Sequence, residues 1–311
     1  MKTYDILCGR HTLSFGTRTL IMGVLNVTPD SFSDGGKFFS TSAAFAHGKK
    51  LVEDGADIID VGGESSRPFS KAVSVEEECR RVLPVIENLA KHISIPISID
   101  TKKSEVARQA ILAGASIIND ISALRSDNKM AAVAAQYGVP VILMHMKGTP
   151  ETMQLKPFYN DVISEVKEFL ENVIIMAEKN GISRSKIIID PGIGFGKTVE
   201  HNLLLINQLH EFTSLDVPIL IGPSRKSFIR NILFNKPAGD IKDRDIKNDM
   251  PAVETGTQAA VAAAVLHGAA IVRVHDVAGT YKTIKIVDAI KQVHSSTVQG
   301  CKNCEPTTVN G

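Results

Sequence analysis

The sequence has almost no imbalance of charge. Its 35 Lys and Arg residues nearly match its 34 Asp and Glu residues, which leaves a formal net charge of +1. Such a chain carries no field that would recruit nucleic acid or an anionic membrane surface. Tryptophan is absent, aromatic residues make up 5% of the chain and hydrophobic residues 43%, a composition typical of a globular α/β protein built on Ile, Val, Leu and Ala.

Long apolar runs are also missing. Residues 1–20 contain no uninterrupted hydrophobic segment of the kind found in signal peptides. The most apolar later stretch, residues 259–274, is interrupted by His267, Gly268 and Arg273. It is also shorter than the ~20 apolar residues that a membrane helix needs. We therefore expect a cytoplasmic protein.

Cysteine is too sparse for a disulfide framework, since Cys8, Cys79, Cys301 and Cys304 are the only four. Cys301 and Cys304 have the spacing of metal ligands, but no second CxxC or HxxxH accompanies them. They lie in a segment rich in Thr, Asn and Gly. This composition predicts a reduced, flexible tail, with a functional thiol pair as the alternative.

Eight short apolar runs dominate the sequence, and each ends at a polar residue or a glycine. Runs of four to six apolar, largely β-branched residues, such as IPISID and KIIID, indicate strands buried on both faces. Helix-like segments lie between them, which predicts an α/β fold, a (β/α)8 TIM barrel. In that fold active sites lie at the C-terminal ends of the strands. The residues predicted to share this rim are Asn26, Gly63, Asp100, Asn119 with Asp120, His145, Asp190, Ser224, and Arg273 with His275.

The pattern divides the chain into three parts. We predict a hairpin at residues 1–20 that packs on the bottom of the barrel, the barrel at 21–295 and the flexible tail at 296–311. The predicted helices lie at about 42–54, 74–92, 103–113, 127–137, 160–180, 199–211, 225–233, 252–267 and 279–294.

Three connections are too long to be simple turns. VTPDSFSDGGKFFST follows the first barrel strand and GGESSRPFSKAVS follows the second. Both are rich in Gly, Ser and Pro, and we expect them to be long active-site loops. The third connection, residues 235–256, is rich in Lys and Asp, which predicts a solvated insertion before the last strand.

Three hydrogen-bond acceptors, Asp100, Asn119 and Asp190, end predicted strands. A carboxylate is costly to bury unless it meets a ligand, a metal or a cation. Side chains of this kind around one cavity can bind a flat heterocycle that presents N–H groups on its edge, because a carboxylate accepts two such bonds at once. The alternative is helix capping, for which Asp100 before Thr101 is a candidate.

Four basic side chains, Arg225, Lys226, Arg273 and His275, follow the last two predicted strands. Barrels often bind phosphate at this position, which predicts a phosphate-bearing substrate. Because side chains alternate along a strand, Arg273 and His275 point to the same side. The alternative is a set of surface ion pairs with the acidic insertion.

The segment DPGIGFGKT resembles a P-loop, but Pro191 occupies the position where that motif needs its first glycine. We interpret it as a tight turn that lets the backbone and Phe195 approach a ligand closely. His145, between Met144 and Met146, is predicted to be a hydrogen-bonded rim histidine. No G-x-S-x-G motif supports a Ser-His-Asp triad.

Eight motifs occur in order and in phase over residues 20–292: NVTPDSFSDGG, IDVGGESSRP, SIDT, IINDIS, LMHMKGTP, DPGIGFGK, SRKSF and VRVHDV. Together they resemble the dihydropteroate synthase family of folate biosynthesis. The resemblance implies a transferase that condenses 6-hydroxymethyl-7,8-dihydropterin diphosphate with 4-aminobenzoate, giving 7,8-dihydropteroate and diphosphate by an SN1-like substitution. It also implies a TIM barrel, a Mg2+ cofactor, a homodimer and a target of sulfonamides.

The resemblance assigns roles to residues that match the family motifs. It implies that Lys226, Asp190, Arg273 and His275 are catalytic. The pterin-binding residues would be Asp100, Asn119, Asp190 and Lys226. The diphosphate-binding residues would be Asn26, Ser66, Arg67, Arg273 and His275, with Asn26 also a ligand of Mg2+. The residues around 4-aminobenzoate would be Phe32, Ser66, Pro68, Phe195 and Ser224.

The second active-site loop departs from the family pattern G-E-S-T-R-P-G. Ser66 replaces a threonine and Phe69 replaces a glycine, changes that bear on affinity for 4-aminobenzoate and sulfonamides. Two alternatives to this function are a pterin-binding methyltransferase barrel that passes a folate methyl group to a corrinoid, and a catalytically silent barrel acting as a partner subunit.

Overall fold

The computed structural model describes residues 3–28, 41–65, 72–149, 153, 157–235 and 243–300, with side chains described at all of these except 243–248 and 294–300. Most of the two predicted active-site loops, together with Cys301 and Cys304, lies outside the described residues. None of the described helices is long and apolar enough to cross a lipid bilayer.

Eight parallel strands form a nearly closed barrel, which confirms the predicted fold class. The barrel strands are β3 (Leu20–Asn26), β4 (Ile58–Gly62), β5 (Ile97–Asp100), β6 (Ile117–Asp120), β7 (Val141–Met144), β8 (Ile187–Asp190), β9 (Leu220–Ile221) and β10 (Ile271–Val274). Their order is β8-β7-β6-β5-β4-β3-β10-β9. A parallel bridge between Ile189 and Ile219 joins the two ends of this order.

Helices surround the barrel and cover its strands. They are α1 (Thr41–Glu53), α2 (Val75–His92), α3 (Ser104–Ala113), α4 (Met130–Tyr137), α5 (Val162–Lys179), α6 (Val199–Asn207), α7 (Ser227–Phe234), α8 (Asp243–Leu266) and α9 (Val277–Gly300). Each buries an apolar stripe; in α2 the spacing of three and four residues places Val82, Val85, Ile86 and Leu89 on one buried face.

Two antiparallel strands, β1 (Tyr4–Cys8) and β2 (His11–Phe15), precede the barrel. Their buried side chains form one hydrophobic cluster with the inward-facing residues at the N-terminal ends of the barrel strands. The hairpin contributes Ile6, Cys8, Leu13 and Phe15 to this cluster. The bottom of the barrel is therefore apolar and covered.

The prediction for residues 235–256 is wrong in part, because α8 begins at Asp243 and continues through this segment. Pro251 suggests a helix boundary in the sequence, since proline disfavours a helical residue before it. Tertiary contacts hold the helix instead. Asp249 forms an ion pair with Arg230 at 3.4 Å, and Glu254 forms one with Arg225 at 2.5 Å.

Near the C-terminus, helix α9 continues to Gly300, past residue 296, where the tail was predicted to start.

We expect Phe15→Ala to lower the free energy of unfolding by about 3–5 kcal/mol, because the ring is only 1% exposed and its removal leaves a cavity under the barrel. Leu7→Ala on the same hairpin is the control. Leu7 is 55% exposed, so this change should cost no more than about 0.5 kcal/mol. Urea unfolding followed by circular dichroism measures both. Equal effects of the two substitutions would show that the hairpin does not support the barrel.

Candidate active site

Polar side chains reach the interior of the barrel from strands that lie on different sides of it. Strand pairing places Asp100 level with Asn119 of β6 and with Gly62 of β4. On the other side, Asp190 is level with Met144. The C-terminal ends of these strands therefore bring the three predicted acceptors to one end of the barrel.

Arg273 connects these strands through two carboxylates. Its Nε donates to Oδ2 of Asp60 at 2.6 Å, and one terminal nitrogen donates to Oδ2 of Asp100 at 2.6 Å. Asp60 Oδ2 also accepts from the side-chain nitrogen of Asn119 at 3.0 Å. Because β10, β4, β5 and β6 are not all neighbours, these bonds cross the barrel interior. They form a charged network, which we call the interior cluster: Asp60, Asp100, Asn119 and Arg273.

Asp60 is a site residue that the sequence analysis misses. It lies in the middle of IIDVG, whereas the predicted site residues lie at the ends of apolar runs. The available signal is a carboxylate inside a buried strand, a position where an unpaired charge costs several kcal/mol. Its exposed fraction is 0%, and Oδ1 accepts no hydrogen bond from the described residues.

Burial and neighbouring charges act in opposite directions on this cluster. Burial alone would lower the pKa of Arg273, but the carboxylates of Asp60 and Asp100 raise it above its usual value. Burial raises the pKa of Asp100, Arg273 opposes this rise, and the charge of Asp60 adds to it. Asp100 does not cap the next helix, which begins after Lys103. The capping alternative is therefore wrong for Asp100.

Asp190 and the turn after it form the opposite wall. The backbone N–H of Gly192 donates to Oδ1 of Asp190 at 2.7 Å, which fixes the carboxylate. Gly192 has φ +75°, and a Cβ there would lie 1.9 Å from the carbonyl oxygen of His145. Gly194 has φ +81°, and a Cβ there would lie 2.9 Å from Cδ of Lys226. The left-handed φ favours glycine at both positions, and at Gly192 only glycine allows the backbone to pass so close to a neighbouring carbonyl group.

Lys226 lies across this turn, at the N-terminus of α7. Its Nζ lies 3.9 Å from the centre of the Phe195 ring, within cation–π distance. Burial, together with the charge of Arg273, lowers the pKa of Lys226 to about 8 against the opposing charges of Asp190 and Asp100. The structure thus brings Lys226, Asp190 and Phe195 together.

His275 and Ser224 are also adjacent. Ser224 Oγ lies 3.0 Å from His275 Nδ1, and the His275 backbone N–H donates to the same hydroxyl at 3.3 Å. Arg225 behaves differently, because its guanidinium pairs with Glu254 of α8 at 2.5 Å. The prediction that all four basic residues after the last strands converge is therefore wrong for Arg225, and the surface ion-pair alternative is correct for it.

His145 is buried and hydrogen-bonded, as the sequence predicts, but its partner is unexpected. Lys197 Nζ lies 2.9 Å from His145 Nδ1 and donates to the carbonyl oxygen of Phe195 at 3.0 Å. Lys197 is only 4% exposed. Burial lowers its pKa to about 7, an effect that Asp190 opposes and that the charge of Lys226 reinforces. The buried amine of Lys197 therefore links the turn after Asp190 to His145 on the neighbouring strand end.

The remaining predicted site residues lie at the end of β3 and in the two active-site loops. Asn26 ends β3 with a half-buried side chain, opposite Gly62. Phe32, Ser66, Arg67 and Pro68 lie outside the described residues. Within the described part of the chain, no group of three or more His, Cys, Asp or Glu side chains is arranged to hold a metal ion.

The arrangement combines a floor of hydrogen-bond acceptors with cations around it. Asp60, Asp100 and Asp190 provide three carboxylates, while Arg273 and Lys226 provide two cations. Such a pocket can bind a polar heterocycle along its N–H edge, and its basic side chains can attract an anionic substituent.

Comparisons with known proteins agree with this chemistry. A family model described as pterin binding enzyme matches residues 22–275. The chain is 46% identical over 282 residues to a dihydropteroate synthase of Synechocystis sp., and the alignment covers 91% of this chain and 93% of the relative.

Solved structures agree as well. A dihydropteroate synthase of Xanthomonas albilineans with 4-aminobenzoic acid superposes with a TM-score of 0.83 at 42% identity, covering 93% of this chain and 99% of that one. A Yersinia pestis dihydropteroate synthase in a sulfonamide drug complex gives a TM-score of 0.83 at 38% identity, with coverage of 93% and 99%.

We expect the buried Lys197 amine to make stability depend on pH. Its pKa is about 7 in the folded chain and about 10.4 in an unfolded one, so between these values the unfolded chain binds more protons. The free energy of unfolding should therefore rise with pH from 7 to about 10 relative to Lys197→Met, which lacks this group. Urea unfolding of both proteins across that range measures the difference. A difference that stays flat, or that falls with pH, would contradict the assignment.

Proposed function

The chain belongs to the dihydropteroate synthase family of pterin-binding enzymes, and on that premise we propose how its side chains divide the work of the reaction. The reaction condenses 6-hydroxymethyl-7,8-dihydropterin diphosphate with 4-aminobenzoate, forming 7,8-dihydropteroate and releasing diphosphate. The observation that carries the assignment of roles is the convergence of Asp100, Asn119 and Asp190 on one barrel interior that also holds Arg273.

Asp100, Asn119 and Asp190 accept hydrogen bonds from the N–H edge of the pterin. The N–H of Gly192 supports this role for Asp190, because it holds the carboxylate in one orientation before substrate arrives. Lys226 donates to the carbonyl oxygen and a ring nitrogen of the pterin. A lysine at a helix N-terminus opposes the helix dipole, so a ligand role explains its position better than a structural one.

Arg273 and His275 bind the diphosphate, together with Asn26, Ser66 and Arg67. In the structure, a terminal nitrogen of Arg273 bonds Asp100, which is also a pterin acceptor. Because a carboxylate accepts several hydrogen bonds, Asp100 can bind the pterin while it holds Arg273. The guanidinium carries five N–H groups in a planar fork, and those not directed at the two carboxylates bind phosphate oxygens.

4-Aminobenzoate lies against Phe195 and Ser224, with Phe32, Ser66 and Pro68 from the two active-site loops. The Lys226 contact supports Phe195 in this role, because it fixes the ring at the pterin end of the pocket. Sulfonamides, which resemble 4-aminobenzoate, occupy the same position. The similar Yersinia pestis enzyme in a sulfonamide drug complex supports this proposal.

Asn26 is the residue that would hold Mg2+. This ion prefers oxygen ligands and commonly keeps several waters, using one or two protein groups together with substrate phosphates. The half-buried Asn26 amide at the end of β3 supplies one oxygen, which fits an ion that arrives with the diphosphate. When bound, the ion would offset the negative charge of the diphosphate.

The substitution is SN1-like and needs no enzyme nucleophile. The C–O bond to diphosphate breaks first, and the electron pair leaves with the diphosphate. The methylene that remains is cationic and conjugated with the pterin ring. Asp190 stabilises this charge from its fixed position. The amine of 4-aminobenzoate then forms the C–N bond and loses a proton.

Family membership also supports the proposal that the chain forms a homodimer. Light scattering of the purified protein tests this proposal, and a monomeric mass at micromolar concentration would overturn it.

A product assay tests the reaction directly. With both substrates and Mg2+, dihydropteroate and diphosphate should form in equal amounts, and omission of 4-aminobenzoate should abolish dihydropteroate. A sulfonamide should raise the KM for 4-aminobenzoate without lowering kcat. Failure to form dihydropteroate under these conditions would refute the proposed reaction.

We expect Arg273→Lys to lower the single-turnover rate at least about tenfold, because the ammonium keeps the charge but loses the fork that binds two oxygens. Affinity for 6-hydroxymethyl-7,8-dihydropterin without diphosphate should change much less. Arg225→Lys is the matched control, since Arg225 pairs with Glu254 outside the pocket. A wild-type rate for Arg273→Lys would remove Arg273 from the diphosphate site.

A further inference from the structure

Asp60 lies one level deeper in the barrel than Asp100 and Asn119. It precedes Gly62 by two positions on β4, so both face the interior, and strand pairing places Gly62 beside Asp100. Its side chain is 0% exposed, which puts it beneath the pocket and not on its surface. Any effect of Asp60 on a ligand must therefore pass through its neighbours.

The hydrogen bond between Asp60 and Asn119 fixes the orientation of an amide. The two ends of an asparagine amide differ, because the nitrogen only donates and the oxygen only accepts. An ionised carboxylate has no proton to donate, so Asn119 must turn its nitrogen toward Asp60 Oδ2, and the 3.0 Å bond has this direction. The amide oxygen is then the group that Asn119 offers to a ligand.

The ion pair with Arg273 supports this direction. Arg273 Nε donates to the same Asp60 oxygen at 2.6 Å, so this oxygen also accepts a hydrogen bond from a permanent cation. The guanidinium cannot supply an acceptor for the Asn119 nitrogen. Asp60 thus holds two substrate-binding side chains through one oxygen, Asn119 by its nitrogen and Arg273 by Nε.

We propose that Asp60 is a positioning residue that sets the hydrogen-bonding polarity of the pocket: it makes Asn119 an acceptor. This inference rests on the proposed function, in which Asn119 contacts the pterin. A heterocycle that presents an N–H group to Asn119 is bound, whereas one that presents a ring nitrogen lone pair there is rejected. An amide free to turn would accommodate either.

The test exchanges the two groups. Asp60→Asn replaces a carboxylate that only accepts with an amide that can also donate, so the Asn119 amide can turn, and the Kd for 6-hydroxymethyl-7,8-dihydropterin without diphosphate should rise at least about tenfold. The double variant Asp60→Asn/Asn119→Asp places the carboxylate beside the ligand and the amide beneath it. An acceptor then faces the pterin again, and the Kd should return to within about threefold of wild type. Calorimetry measures all of these constants.

Ser98→Ala is the matched control. Ser98 is buried beside Asp60 on the neighbouring strand, and its hydroxyl has no hydrogen-bond partner among the described residues. It should bind the pterin like wild type. A general loss of packing in this part of the barrel would weaken the control and the double variant alike. If Asp60 orients the Asn119 amide, the pterin Kd should recover in the double variant and should not change in Ser98→Ala.

Two results would overturn the proposal: a wild-type Kd for Asp60→Asn, or a double variant that folds but binds no better than Asp60→Asn. If the wild-type protein itself does not bind the pterin, the proposed function fails and not the role of Asp60. Should Asp60→Asn not fold, the side-chain amide protons of Asn119 in the wild-type protein give the answer by NMR. They should exchange slowly with solvent both without and with pterin, and fast exchange in either state would overturn the proposal.

Discussion

The structure depends on two ion pairs that cross the interior of the barrel and share one arginine. Arg273 lies between Asp60 and Asp100, and without it two carboxylates would be buried close together with no cation between them. Removing one partner from such an arrangement leaves an uncompensated charge, which is far more costly than the loss of a surface pair. The guanidinium therefore determines which polar groups the upper half of the barrel can contain.

The two ends of the barrel differ in polarity, because the charged residues are confined to the upper interior. The bottom is apolar and closed by the hairpin, so its stability comes from packing around side chains such as Phe15. The upper interior is polar, and its order comes from hydrogen bonds and charge. Packing at the bottom thus contributes to stability, whereas the charged residues of the upper interior contribute to stability and to the binding site, which lies at the C-terminal ends of the strands as expected of this fold.

Much of this could be predicted from the sequence, and the rest could not for identifiable reasons. Buried parallel strands leave a strong pattern of β-branched runs, and their ends select Asp100, Asn119 and Asp190. Asp60 could not be predicted from strand ends because it lies inside an apolar run. Lys197 could not be predicted because its partner, His145, is 52 positions away in the sequence. The start of α8 was missed because Pro251 is a local signal, whereas its ion pairs with α7 and the segment before it are tertiary.

The turn after Asp190 limits how this enzyme can change. A single-base change in a glycine codon that alters the residue always introduces a side chain with a Cβ or ends the chain. At Gly192 that atom would lie 1.9 Å from a carbonyl oxygen, and at Gly194 it would meet the Lys226 side chain at 2.9 Å. Missense mutation at these two glycines therefore strains the enzyme itself, and resistance to a drug that binds against this wall should arise at other residues.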